Sequence, residues 1–141
     1  MQNYFQKNNK DGDGLFCAIE LACERLIYVS ETDAPVRPFV GPAAAEVTGE
    51  IILQQTEGKA DAPVEEVAFD TFFGRLTKIK DWFGEAEKEK AAKFLDLQKL
   101  LEENLRDLKV FRIGEIQIDI YAVGIDNDGL LMGVTTKAVE T

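Results

Sequence analysis

The sequence contains no histidine, and it has only two cysteines, four prolines and one tryptophan. Without histidine the chain can form no Ser-His or Cys-His nucleophile pair, and it lacks the most frequent general base. Most zinc sites are excluded for the same reason. Carboxylates, lysine, tyrosine and cysteine are the groups left for chemistry, so we expect a protein that is not an enzyme.

Cys17 and Cys23 are six residues apart in a segment whose apolar spacing predicts a helix. Positions six apart lie on different sides of a helix, so these two thiols cannot form a disulfide bond with each other. The partners of a redox or metal site are missing. We interpret both cysteines as small buried apolar residues.

Long apolar runs are also missing from the 141 residues. No run approaches the roughly 20 residues that a membrane-spanning helix needs. Residues 1–14 are polar and lack the apolar core of a secretory signal. We therefore expect a cytoplasmic protein that does not bind membranes, and the length suits one domain with one core.

The charge is strongly negative, with 26 acidic and 16 basic residues and a formal net charge of −10. Residues 1–70 hold 13 acidic and 5 basic residues, a net charge of −8. Nucleic acid should repel such a chain, because binding to nucleic acid requires lysine and arginine to neutralise phosphates. The same field attracts a basic protein. The alternative is that the charge only keeps the protein soluble.

Hydrophobic periodicity predicts helices and strands that are segregated along the chain, which is typical of an α+β domain with a mostly antiparallel central sheet. Residues 1–14 are predicted to be a flexible acidic lead, and residues 15–141 a single domain. The predicted elements before the C-terminal third are a helix from Leu15 to Tyr28, an extended piece from Val36 to Val40 that ends at Gly41-Pro42, an ambiguous segment from Val47 to Gln55 that is weakly favoured as a helix capped by Thr48, a strand from Val64 to Phe69, a helical turn capped by Asp70, and a long helix from Asp81 or Gly84 to about Leu108.

The C-terminal third carries the clearest β pattern. Ile116, Ile118 and Ile120 alternate with polar residues, the segment 126–129 has the composition of a turn, and residues 130–139 return as a second strand. This pattern predicts a β-hairpin.

One segment has the spacing of a calcium-binding EF-hand loop. In Asn9 to Glu20, Asp11 and Asp13 take ligand positions three and five, Gly14 takes the turn, and Glu20 takes the twelfth position. Asn9 replaces the expected aspartate at the first position, and the eight preceding residues are too few for a normal entering helix. We favour a mobile acidic lead and expect no tight calcium binding.

Two single residues are candidate contact points. Trp82 follows Lys80 and Asp81 at the predicted start of the long helix, where it is either half-buried in the core or an interface anchor. Thr141 follows the last predicted strand, and its hydroxyl and carboxylate together resemble a ligand for a hard cation.

Several segments together resemble the nuclease A inhibitor family over roughly residues 26 to 141. They are Glu50-Ile51-Ile52-Leu53-Gln54-Gln55-Thr56, Asp61-Ala62-Pro63, Asp70-Thr71-Phe72-Phe73, Asp81-Trp82, and the stretch from Arg112-Ile113-Gly114-Glu115-Ile116 to Thr141.

This resemblance implies an α/β/α sandwich similar to the pathogenesis-related-protein-1 fold. It also implies one-to-one binding to a basic, magnesium-dependent, sugar-non-specific endonuclease of the ββα-metal class, which the inhibitor blocks. The chain would need no cofactor of its own, and the magnesium would belong to the nuclease. We expect the free protein to be a monomer. The alternative is an acidic calcium-binding or protein-interaction module without a nuclease target.

By position, the resemblance makes Glu31, Trp82 and Thr141 the contact residues, with Thr141 at the magnesium of the partner. Lys80 stands where the family has glutamine, and Asp81 lies between it and the tryptophan. A carboxylate such as that of Glu31 can mimic a phosphate oxygen toward arginine or metal. A protein that only occludes an active site needs no catalytic group.

The net charge of −10 leads to a prediction about binding kinetics. Electrostatic steering acts on diffusional encounter over a Debye length of about 8 Å at physiological salt. We expect stopped-flow association with a basic nuclease to slow as salt is raised, while dissociation changes little. Association that is flat from low to high salt would contradict steering.

Overall fold

The computed structural model describes residues 12–56, 58–59 and 61–141. Its helices are α1 (Gly12–Ala22), α2 (Gly49–Gln54), α3 (Phe69–Thr77) and α4 (Glu85–Asn104). Its strands are β1 (Ile27–Val29), β2 (Asp33–Pro35), β3 (Arg37–Ala43), β4 (Val64–Val67), β5 (Arg106–Ile113), β6 (Gln117–Ile125) and β7 (Leu130–Val139).

Five strands form one sheet in the order β3-β7-β6-β5-β4, and every neighbouring pair is antiparallel. Strands β1 and β2 form a separate antiparallel pair. The predicted hairpin is confirmed as β6 and β7. Its turn is closed by Asp126, whose Oδ1 accepts hydrogen bonds from the amides of Asp128 and Leu130, each at 2.9 Å. The expectation of a mostly antiparallel sheet is therefore confirmed.

Both faces of the sheet are buried against helices. Alternate residues of a strand point to opposite faces, so one strand contributes side chains to both cores. On one face Ile118, Ile120 and Ala122 of β6 pack in a cluster with residues of α1, α3 and α4. On the other face Tyr121, Val123 and Ile125 pack with Ile52 of α2. The finer likeness to the pathogenesis-related-protein-1 fold stays a prediction, as does the single domain.

The first helix was predicted at the wrong place. It begins at Gly12, inside the predicted lead, and it ends at Ala22 instead of Tyr28. The chain turns at Arg25, which has a φ of 59°, and Ile27 and Tyr28 then pair with β2 as β1. Cys23, Leu26 and Ile27 continued the helical spacing, but Cys23 and Leu26 lie in the connection after the helix and Ile27 lies in β1. The first eleven residues of the predicted lead lie outside the described part of the chain.

The long helix ends earlier than its apolar stripe predicted. It stops at Asn104, and Leu108 lies in β5. Leu105 is already extended, with φ −126° and ψ 146°. Asp107 has a φ of 55°, and its carboxylate accepts a hydrogen bond from the amide of Val47 at 2.8 Å. Strand pairing and this long-range contact thus override the helical pattern of the last turn.

The smaller elements are partly as predicted. The ambiguous segment is the helix α2, and the hydroxyl of Thr48 caps it by accepting from the amide of Ile51 at 3.2 Å. The cap predicted at Asp70 is wrong, because Ala68 is the N-cap of α3 and Asp70 lies in its first turn.

Strand β4 ends at Val67 instead of Phe69, because Phe69 already begins α3. Strand β3 continues past Gly41-Pro42 to Ala43. It lies at the edge of the sheet, where proline removes no ladder hydrogen bond that the sheet needs.

The two cysteines differ in environment. Cys23 is buried, and burial, with a smaller effect of Glu20, raises the pKa of its thiol to about 12. Cys17 is exposed, so its predicted burial is wrong. Both are free thiols. No helix within the described ranges is long and apolar enough to cross a membrane.

The core around α4 allows a matched test of packing. Leu97 is fully buried, whereas Leu95 on the same helix is 38% exposed. Leu97→Ala should lower the free energy of unfolding by about 2–5 kcal/mol, since it leaves a cavity. Leu95→Ala should cost less than about 1 kcal/mol. Urea unfolding of both variants measures the difference, and equal losses would show that the burial pattern of α4 is wrong.

Candidate partner-binding site

The turn between β1 and β2 is attached to the end of β7. The amide of Glu31 donates to the carbonyl of Val139 at 3.2 Å. In return the amide of Val139 donates to the hydroxyl of Ser30 at 3.0 Å. Ser30 also closes the turn itself, because its amide donates to the carbonyl of Thr32 at 2.8 Å. The backbone at Glu31 is therefore held in a defined place beside the last strand.

Glu31 and Thr141 form a two-point contact. The amide of Thr141 donates to Oε2 of Glu31 at 2.7 Å, and the hydroxyl of Thr141 donates to Oε1 at 2.8 Å. Both residues are exposed. They are 110 positions apart in the sequence, so only the fold brings them together. Two residues that the resemblance selected separately are thus one structural unit.

The contact changes the titration of Glu31. A hydrogen bond from a donor to a carboxylate stabilises the ionised form. The backbone amide of Thr141, and then its hydroxyl, hold the pKa of Glu31 below its ordinary value. Glu31 therefore presents a negative charge at neutral pH, at a place where a partner can reach it.

Trp82 lies in the connection between α3 and α4, and 70% of its surface is exposed. The half-buried alternative is therefore wrong. Its ring lies edge-on to that of Phe83, with 4.8 Å between the centroids. The Nζ atom of Lys80 lies 5.9 Å from the centre of the indole ring, within the range of a cation–π contact. Asp81 is also exposed.

A groove of about 370 Å³ lies next to the end of β7. Its lining consists of Tyr28, Glu65, Val67, Phe72, Arg75, Leu76, Arg112 and Glu140. Glu140 directly precedes Thr141, and Leu76 in the last turn of α3 leads into the connection that carries Trp82. Tyr28 stacks on Phe72 with 5.8 Å between ring centroids, which joins β1 to α3. The described residues show no hydrogen bond or ring contact between Trp82 and the Glu31–Thr141 pair.

The calcium hypothesis rests on residues that are only partly described. Asn9 and Asp11 lie outside the described residues, but Gly12 to Glu20 are helical. A continuous helix through Gly14 differs from the coordinating loop of an EF-hand, which makes a sharp turn at that glycine. Within the described ranges, no group of three or more His, Cys, Asp and Glu residues is arranged to hold a metal ion.

Sequence reasoning missed two charged clusters. Arg112 contacts Glu65 and Glu140, and the mostly buried Asp119 contacts Lys59 at 3.0 Å and Lys137 at 2.7 Å. Burial raises the pKa of Asp119, but the hydrogen bonds from Lys137 and Lys59 outweigh it, so that the net shift is downward. Asp119 and Lys137 are directly opposite in the β6–β7 hairpin, so the predicted hairpin with its turn at 126–129 could have indicated this pair.

A comparison with family models supports the resemblance. The family model described as nuclease A inhibitor-like protein matches residues 14–141, nearly the whole chain. The match includes most of α1, which the resemblance had not covered, and it includes the positions of Glu31, Trp82 and Thr141. No curated protein matches the chain.

The Glu31–Thr141 contact leads to a prediction about pH. The lowered pKa means that the contact is present above that pKa and is lost as the pH falls through it. In an NMR titration of side-chain carboxyls, deletion of Thr141 should move the midpoint of Glu31 upward, toward its ordinary range. Thr141→Ser keeps both donors and should leave the midpoint low. An unchanged midpoint after the deletion would show that the contact does not exist in solution.

Proposed function

The chain belongs to the nuclease A inhibitor-like family, and from this premise we propose that it binds one-to-one to a magnesium-dependent, sugar-non-specific endonuclease and occludes its active site. The family is an inhibitor family. The observation that carries the proposal for this chain is the exposed contact in which one carboxylate, that of Glu31, holds both donors of Thr141.

Glu31 supplies the charge that the proposal needs. A nuclease holds its scissile phosphate with a divalent metal and with cationic groups. A carboxylate offers two oxygens to the same cations and forms charge-assisted hydrogen bonds with arginine. The turn is fixed to β7 before any partner arrives, so Glu31 loses little backbone freedom on binding.

Thr141 supplies the contact to the metal of the partner. Its hydroxyl proton points toward Oε1 of Glu31, which leaves the lone pairs of Oγ1 free to accept a cation. Magnesium prefers oxygen ligands at about 2.0–2.1 Å and tolerates little displacement. A hydroxyl oxygen already oriented by a second residue suits that requirement. Glu31 thus acts both on the partner and on the orientation of Thr141.

Trp82 supplies the apolar contact. Tryptophan is enriched among the residues that contribute most to binding energy at protein interfaces. An indole that is 70% exposed in the free protein has a large area to bury on binding. Lys80 lies against this ring and Asp81 precedes it in the sequence, which supports a role for both at the rim of the proposed contact. The acidic charge of the whole chain would steer it toward a basic active site.

The test is degradation of DNA by a magnesium-dependent ββα-metal nuclease with increasing amounts of this protein. We expect inhibition that saturates at one inhibitor per nuclease. Trp82→Ala should weaken inhibition by about 2 kcal/mol, or roughly thirtyfold, with no loss of thermal stability. Ile79→Ala is the matched control, because Ile79 is exposed in the same connection.

The same assay separates the hydroxyl of Thr141 from its amide. Thr141→Val keeps the shape and the amide contact but removes the hydroxyl, so it should impair inhibition. Thr141→Ser should inhibit as the unchanged protein does. Equal inhibition by all three would show that the hydroxyl is not at the metal. The absence of inhibition by the unchanged protein would instead favour an acidic interaction module with a different partner.

A further inference from the structure

The side chain of Arg112 lies in the groove beside the Glu31–Thr141 pair, and only 17% of it is exposed. Its Nε is 3.4 Å from Oε1 of Glu65, and its Nη2 donates to Oε1 of Glu140. The hydrogen bond from Arg112 to Glu140, followed by smaller charge effects, raises the pKa of the guanidinium. One mostly buried cation therefore serves two carboxylates.

Glu140 is the residue through which Arg112 reaches the proposed site. Its amide donates to the carbonyl of Ile116 at 2.9 Å, which continues the β6–β7 ladder by one residue beyond Val139. Arg112 and Glu140 lie on the same face of the sheet, because Arg112 is opposite Ile120 and Ile120 is opposite Thr136. Glu140 is thus held through its backbone by Ile116, directly before β6, and through its side chain by Arg112 of β5.

We propose that Arg112 is a positioning residue: by holding Glu140 it fixes the segment that presents Thr141 to Glu31. The importance of this role for inhibition rests on the proposed function, but the positioning itself is a property of the free protein. Arg112 touches neither Glu31 nor Thr141 in any contact that the structure shows within the described ranges, so its effect passes through Glu140.

The physical reason is the sharing of one cation. If Arg112 is replaced by a neutral residue, Glu65 and Glu140 are left in the groove without a positive charge between them. The two like charges then repel each other, although solvent partly screens them because 47% of the Glu140 side chain is exposed. Glu140 can relieve the repulsion by moving toward solvent, and Thr141 would move with it. The side chain of Glu65 is 71% exposed, so the loss of Arg112 should affect its position less than that of Glu140.

Arg112→Gln is the primary variant, and Arg75→Gln is its matched control. Arg75 lines the same groove, and the structure shows no ion pair between it and any other described residue. Both variants make the net charge more negative by one, so any change in electrostatic steering is the same in both. Arg112→Lys keeps the charge but loses the forked geometry that contacts two carboxylates. Arg112→Gln with Glu140→Gln removes the repulsion together with the cation.

Two readouts are needed. In the free protein, hydrogen exchange at the Thr141 amide and NMR titration of Glu31 report whether the contact has formed. With the nuclease, the inhibition constant reports its consequence.

Arg112→Gln should speed exchange at Thr141, move the midpoint of Glu31 upward and weaken inhibition about tenfold, a size typical of residues in one network of hydrogen bonds and ion pairs. Arg75→Gln should leave both free-protein readouts unchanged. Arg112→Lys should give exchange and inhibition values between those of Arg112→Gln and the unchanged protein. The double variant should recover part of the inhibition that Arg112→Gln loses.

The outcomes separate this inference from the proposed function. If Arg112→Gln leaves Thr141 exchange and the Glu31 midpoint as in the unchanged protein, Arg112 does not position the segment, whatever the nuclease assay shows. If Arg112→Gln only lowers the folded fraction, and affinity falls in proportion with no recovery in the double variant, the role is structural and the inference is wrong. If the free-protein readouts change as expected while the unchanged protein inhibits no nuclease, the positioning is supported and the proposed function is wrong.

Discussion

The pairing of β6 with β7 is the interaction on which the rest of the molecule depends. Its register runs without a shift from Gln117 opposite Val139 to Ile125 opposite Leu131. Because the side-chain period of a strand is two, a slip by one residue would send each buried side chain to the other face of the sheet. The same slip would move Glu140 and Thr141 along the sheet. The register that places the two cores therefore also places the candidate site.

The site lies at the edge of this hairpin, where a fixed backbone meets exposed side chains. The β1–β2 turn attaches to the last residue of β7, and Arg112 attaches to the residue after it. Glu31 and Thr141 can then stay exposed without losing their relative geometry. An exposed hydrogen bond alone contributes only modestly to stability. Here the value of the contact is orientation, since a proposed ligand to magnesium must be placed within a fraction of an ångström.

The candidate site could be predicted only through the resemblance. Nothing in the local pattern around Glu31 or Thr141 indicates that the two meet, because their contact spans 110 positions and depends on every strand in between. The exposure of Trp82 was also undecided, since an aromatic residue near a helix start is compatible with either environment. Arg112 and Glu140 carried no signal, because each reads as an ordinary polar residue of an amphipathic strand.

The sequence by itself determined the elements whose pattern is local and complete. Alternation and a polar turn were enough for the β6–β7 hairpin, whereas Thr48 only weakly favoured a helix over a strand at α2. Tertiary structure decided where α1 and α4 end. Ile27 and Tyr28 fit a helical stripe but pair with β2, and Leu108 fits one but lies in β5. Apolar spacing indicates which residues are buried. Whether such a residue lies in a helix or a strand depends on the backbone groups that are near enough to form hydrogen bonds with it. Such a partner can be close in the sequence, as β2 is for Ile27 and Tyr28, or distant, as Val47 is for Asp107.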